Sequence, residues 1–320
     1  MQKFDVITFG EAMAMFMAER PGPLHETNRF TLELAGAETN VAIGLARMNI
    51  PSGWVSKVGN DAFGKFIIQR LKEEGVDISR VKTDENHPTG FQLKSKVCKG
   101  DPEVQYFRKG SAASHMETAD FDKAYFLQAR HMHMTGIPLA VSGTFHAFAG
   151  HALSVMKEHG RTVSFDPNLR PSLWTSEQEM IRQINKVACQ CDSVLPGIHE
   201  GKVLTGCQRP GDIADFYLDK GVKLVVVKLG EEGAFYKTAA EEGLVSGFKV
   251  HKVVDTVGAG DGFAAGVISG LLEGLSIREA VIRGNAMGAL AVQSPGDHDG
   301  YPTKAELKSY IENNFLDHRE

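Results

Sequence analysis

Short apolar runs alternate with segments of helical period along most of this chain, and this alternation limits the possible folds more than any other feature. Phe4 to Phe9 is a short run closed by Gly10 and reads as a buried strand. Glu38 to Asn49 places Val41, Leu45 and Met48 on one face of a helix. Trp54–Val58 reads as a strand, and Phe63–Glu74 as a helix ended by Gly75. Further on, His131–Met134, Thr162–Phe165, Ser193–Leu195 and Leu224–Val227 read as strands, with a helix over Phe145–His159. Near-continuous apolar strands joined through helices predict a parallel sheet covered on both faces.

Two segments break the rhythm. Phe91–Val97 alternates polar and apolar residues, and Val104–Arg108 follows across Lys99-Gly100-Asp101-Pro102, which predicts a β-hairpin with one polar face. Residues 12–34 are similarly irregular. Segments 12–34 and 88–110 together read as a small β subdomain covering a site. The remainder, with these insertions, reads as a single α/β domain over residues 1–320.

Composition narrows the function classes. A hydrophobic fraction of 42% and a charged fraction of 23% suit a well-cored globular chain. A net charge of -5 gives no reason to expect a nucleic-acid or membrane partner, although clustered arginines would still hold a small anion. Cys98, Cys189, Cys191 and Cys207 form no CxxC pair, and the simplest reading is reduced thiols in the cytoplasm. The start Met1–Ile7 lacks an apolar signal region, and no apolar run reaches the length of a membrane span.

The chemistry is concentrated in Asp255-Thr256-Val257-Gly258-Ala259-Gly260-Asp261. Phe263, Val267 and Leu271 then recur at helical spacing, so Gly258–Asp261 falls at a helix N-terminus. Free backbone N–H groups and the helix dipole favour an anion there, and glycines let the backbone approach it. A carboxylate at the same point can accept a proton. An Asp in the first turn of a helix also occurs without function, and the complete run is what points to phosphoryl transfer. Gly59–Lys65 fits GxxxxGK, but Phe66 follows where a P-loop needs Ser or Thr.

With a second signature, Gly36-Ala37-Glu38-Thr39-Asn40-Val41-Ala42 through Gly59-Asn60-Asp61-Ala62-Phe63-Gly64, nearly the whole chain resembles the ribokinase-like (PfkB) sugar kinases. The resemblance implies a doubly wound, mostly parallel sheet flanked by helices, with a small β-sheet lid. It implies Mg2+ and ATP as donor, Asp261 as base, and the backbone of Gly258, Ala259 and Gly260 as anion hole. Lys228, Gly230, Gly233 and Asn285 match positions near the nucleotide, as do Asn168 and Arg170. Of the Asn-x-x-Glu element that organises Mg2+ through water, Glu200 is kept and Gly197 replaces the Asn.

Within the family, the chain is most similar to the branch acting on 2-keto-3-deoxygluconate. Ala35–Asn40, Tyr106-Phe107-Arg108-Lys109-Gly110-Ser111-Ala112 and Pro295–Gly300 carry that likeness. It implies substrate contacts from Gly36, Ala37 and Asn40, and from Gln92, Tyr106 and Arg108 of the lid. Arg170, Asp261 and Asp297 complete the set. Arg108 also falls near the transferred phosphate, and either arginine suits the substrate carboxylate, because a guanidinium pairs with it bidentately. Met15 stands where fructokinases carry an Asp, and Gln92 where this branch commonly carries a Tyr. The alternatives are a fructokinase or another sugar or nucleoside kinase of the family, and a sugar-binding protein without catalysis. A homo-oligomer through the lid is expected by analogy with family dimers. His131 and His133 read as buried strand histidines, Met13, Met15 and Met17 as packing, and Asp317–Glu320 as a frayed end.

Overall fold

The computed structural model describes residues 4–97 and 102–314. Met1–Lys3, Cys98, Lys99–Asp101 of the expected hairpin connection and the end Asp317–Glu320 lie outside them. The strands, in chain order, are β1 (Val6–Phe9), β2 (Met13–Pro21), β3 (Phe30–Ala35), β4 (Ser52–Gly59), β5 (Asp77–Asp84), β6 (Phe91–Lys96) and β7 (Val104–Phe107). There follow β8 (His131–Thr135), β9 (Thr162–Asp166), β10 (Ser193–Val194), β11 (Leu224–Lys228), β12 (Ala234–Lys237) and β13 (Glu242–Val245).

The large sheet has the order β13-β12-β11-β10-β9-β8-β1-β4-β5. It is parallel from β5 through β11 and antiparallel only at the β12 and β13 edge. Its central strands are buried on both faces, as continuous apolar runs require: Val6, Ile7, Phe9, Val225, Val226 and Val227 are all inaccessible. One face carries helices Gly143–Glu158 and Glu177–Ala188 over a Phe- and Met-rich core. The other carries helices Ala37–Arg47, Ala259–Leu272 and Ile277–Ala291. The last two approach glycine to glycine: a Cβ on Gly266 would lie 2.7 Å from the Gly284 Cα. That closeness locks the middle of Ala259–Leu272 against its neighbouring helix. No helix among the described residues is long and apolar enough to cross a membrane.

The second sheet has the order β3-β2-β6-β7, with β6 parallel to β2 and antiparallel to β7. Stacked and edge-on phenylalanines, Phe16, Phe63, Phe91 and Phe107, hold it to the helix Ala62–Glu73. It stands over the carboxyl ends of β1, β8, β9 and β11. In the chain, β1 is followed by strands on one side (β4, β5) and later by strands on the other (β8 to β11), so β1 flanks the switch point where open α/β sheets bind ligands.

Candidate active site

The helix Ala259–Leu272 is apolar all round and buried from Asp261 to Gly270, so its N-terminus is fixed by the core. Gly258 caps it at φ 82°, a left-handed conformation, and its α-carbon faces the Asp297 carbonyl so closely that a Cβ would lie 1.7 Å from that oxygen. Tyr301 donates its hydroxyl to the Gly258 carbonyl at 2.5 Å from beneath. Gly258 and Gly260 line the cavity, as an anion hole needs, whereas the Ala259 N–H turns back to the Thr256 carbonyl at 3.4 Å.

Asp261 follows directly and is 8% exposed. Asn40 donates to its Oδ2 at 2.8 Å and Asn168 to its Oδ1 at 3.3 Å, so an amide aims each oxygen. Asn168 tolerates the φ of 41° that this requires in the loop after β9. Burial pushes the Asp261 carboxyl up to about 8, with the Asp166 and Asp297 charges in the same direction; Asn40 and Lys228 oppose the shift. A group so placed can take a proton near neutral pH.

Strand ends supply the opposite wall. Lys228, at the end of β11, pairs with Asp166 of β9 at 2.5 Å. Burial opposes its charge, but Asp166, Glu200 and Asp261 raise the ammonium pKa above its ordinary value, so it stays cationic. Glu200 caps its own helix by accepting from the Gly197 N–H at 2.7 Å, and it accepts from the Leu169 N–H at 2.8 Å. The missing Asn of the Asn-x-x-Glu element is therefore a helix N-cap position, and the Glu is held in the cavity wall. Arg170 donates to the Leu169 carbonyl beside it.

The small sheet lines the other side of the cleft. Arg108 donates Nε to Glu11 Oε2 at 2.7 Å, and Ser111 donates to Glu11 Oε1 at 2.5 Å. Glu11 follows β1 and is 3% exposed, so lid and sheet are joined by a buried ion pair. Lys94 of β6 reaches inward to Asp255 at 2.5 Å and Asp297 at 3.3 Å. Tyr106 lies under the Arg108 guanidinium, 5.9 Å from its ring centre.

The cleft measures about 300 Å3 and brings together most of the expected residues: Gly36, Ala37, Asn40, Gln92, Tyr106, Arg108, Asn168, Arg170, Glu200, Lys228, Gly258, Gly260, Asp261 and Asp297. Ala259, Gly230, Gly233 and Asn285 are not in its wall. Asn285 spends its amide on the carbonyls of Val245 and Ser246, securing the end of β13. Gly230 and Gly233 make the positive-φ turn between β11 and β12. Met15 is fully buried in the lid sheet, and Met13, two residues earlier on β2, is the methionine that faces the cavity.

Sequence reasoning missed Glu11, Lys94 and Asp166 as wall residues. Lys94 shares the parity of Gln92 on an alternating strand, which was the available signal. The GxxxxGK resemblance dissolves into a tie: Asp61 accepts from the N–H groups of Gly64 and Thr89, capping its helix and anchoring the lid entry. His131 and His133 share Ser164 as partner and are held neutral by burial, pushed down to about 3, with a neighbouring charge adding to each. Among the described residues no group of three or more His, Cys, Asp or Glu is placed to hold a metal. The oxygen-rich wall at Glu200 and Asp166 suits a cation that keeps its waters, as Mg2+ does.

Comparison with known proteins agrees with this geometry. Residues 3–304 match the pfkB family carbohydrate kinase model. A 2-dehydro-3-deoxygluconokinase of Bacillus subtilis is 55% identical over 310 residues, covering 97% of this chain and 96% of its own. The crystal structure of a putative ribokinase II from E. coli, in complex with ATP and Mg2+, superposes with a TM-score of 0.91 at 29% identity, covering 97% of this chain and all of that one. That of a Thermotoga maritima 2-dehydro-3-deoxygluconokinase gives 0.90 at 26% identity, covering 97% and 98%.

Proposed function

The chain belongs to the pfkB family of carbohydrate kinases, and from that premise we propose that it transfers the γ-phosphoryl group of ATP to the 6-hydroxyl of 2-keto-3-deoxygluconate (2-dehydro-3-deoxygluconate) with Asp261 as base. The observation that carries the mechanism is the placement of Asp261. It is a buried carboxylate aimed by two amides, at a glycine-flanked helix start in a cleft that Arg108 also lines.

Asp261 accepts the proton as the sugar hydroxyl attacks phosphorus. The backbone N–H groups of Gly258 and Gly260 donate to the oxygens of the group in transfer, where charge spreads. Mg2+ with ATP supplies the phosphoryl group and neutralises phosphate charge. Lys228 adds a positive charge on the same side, and Glu200 would hold the cation through its waters. Asn168, Gly230, Gly233 and Asn285 belong to the nucleotide side, the last by fixing the edge along which adenine lies.

The sugar acid lies between Gly36, Ala37, Asn40 and Asp297 below and the lid neighbours Gln92 and Tyr106 above. Arg170 is the cation best placed for its carboxylate. Lys94, Lys228 and Arg108 each already face a carboxylate of the protein, whereas among the described residues Arg170 is bonded only to a neighbouring carbonyl. Arg108, held by Glu11, is placed to reach substrate and phosphate together. We read the chain as one cytoplasmic kinase domain, residues 1–320, with the lid from 12–34 and 88–110. The open β7 edge, with Tyr106 and Phe107 exposed, is the face for a second copy, measurable by light scattering. Phosphorus and carbon NMR of the product made from 2-keto-3-deoxygluconate and ATP tests the reaction: a phosphate ester at carbon 6 is expected, and an ester elsewhere, or none, overturns it.

A further inference from the structure

Lys94 is 1% exposed, yet lysine is almost never fully buried unless its charge is matched. Its ammonium lies 2.5 Å from Asp255 and 3.3 Å from Asp297. These two carboxylates flank the glycine run. Asp255 opens it and accepts from the Val257 N–H at 3.1 Å. Asp297 presents its backbone carbonyl against Gly258. The lysine comes from β6, in register with Met17 of β2 and Val104 of β7, so it belongs to the lid sheet. One lid side chain thus spans both sides of the loop that holds the transferred group.

Two buried carboxylates around one ammonium depend on it. Without the cation, they would repel across a site of low dielectric, and one would take a proton. A protonated Asp297 would offer a donor where a sugar hydroxyl needs an acceptor. We propose that Lys94 is a positioning residue of the sugar site: through its ion pairs it keeps Asp297 charged and seated against the Gly258 loop while β6 lies over the cavity. The inference rests on the reading of Asp297 as a sugar contact.

The test is steady-state kinetics of the full chain with both substrates varied, for the parent, Lys94→Met, Lys94→Arg, Asp297→Asn and the double variant Lys94→Met/Asp297→Asn. The KM for the sugar acid should rise about tenfold or more in Lys94→Met, with the KM for ATP moving less than about twofold. Lys94→Arg should restore most of the loss. Because the lysine acts through Asp297, the double variant should be no worse than Asp297→Asn alone. Lys94→Gln carries the same expectation as the methionine variant and stands in for it should that one misfold. An unchanged sugar-acid KM in a folded Lys94 variant overturns the proposal, as do equal losses for both substrates or losses that multiply in the double variant. If Asp297→Asn itself leaves the sugar-acid KM unchanged, the reading of Asp297 fails and takes this inference with it. An impaired Asp297→Asn beside an unaffected Lys94→Met sinks the lysine alone.

Discussion

Replacing Gly258 by alanine changes one methyl group at the junction of every part of the site. The residue sits at φ 82°, where a side chain costs about 1–3 kcal/mol. Its Cβ would lie 1.7 Å from the Asp297 carbonyl oxygen, and ordinary contact begins at 3.4 Å, so the loop and the Pro295–Gly300 turn must part by 3.4 − 1.7, about 1.7 Å. No rotamer relieves this, because the opposing atom is backbone. A displacement of about 1 Å at reacting groups costs about a hundredfold in rate. The expected result is a kcat reduced at least about a hundredfold in a coupled ADP-release assay, with a Tm lowered by several degrees. Gly260→Ala is the contrast. Its Cβ meets only the Lys228 ammonium, at 3.4 Å, so the fold should be kept with a Tm close to the parent's. If Gly258→Ala retained kcat within about threefold and Tm within about 1 °C, the close-packed loop would be refuted.

Three further outcomes follow from the same site. Asp261→Asn should lose kcat by about 10²–10⁴ with sugar-acid KM nearly kept, since the base acts in the transition state; near-normal kcat would remove its role. Burial raises the Asp261 pKa to about 8, so the folded chain binds that proton more tightly than the unfolded one. Its contribution to stability is therefore complete below the ordinary value of 3.8 and is lost as pH rises through about 8. The Tm of Asp261→Asn relative to the parent should accordingly climb between about pH 5 and pH 9 in calorimetry, and a flat difference would contradict the burial argument. Glu11→Gln leaves the Arg108 guanidinium buried without its carboxylate, a loss of about 3–5 kcal/mol in comparable pairs; the check is denaturant unfolding together with the sugar-acid KM.

What the sequence disclosed follows from how local each signal is. Strands β1 and β11 announce themselves because burial on both faces demands near-continuous apolar runs, and β8 and β9 by short alternations of apolar with small or aromatic polar residues. Edge strand β5 reads Asp-Ile-Ser-Arg-Val-Lys-Thr-Asp, half exposed and rich in charge, and carries no such run. β12 and β13 form the other edge and were equally silent. In the site, Gly258–Asp261 is contiguous, so its helix start and its carboxylate are legible together. Arg108 and Glu11 are 97 positions apart, and Lys94 and Asp297 are 203 apart. Only the folded lid brings them together, and nothing near Glu11 or Lys94 in the chain marks a partner. Met15 shows the same limit at short range: the right strand and the right apolar character, with the cavity contact moved two residues along to Met13.

The central claim is that this cavity selects a sugar acid and phosphorylates it. The most direct measurement is kcat/KM for 2-keto-3-deoxygluconate against fructose, with ATP and Mg2+ saturating and ADP release as the readout. A charged carboxylate recognised by a guanidinium should favour the acid by about a hundredfold or more. Fructose turned over as well as the acid, or no ADP released with either, would contradict the account.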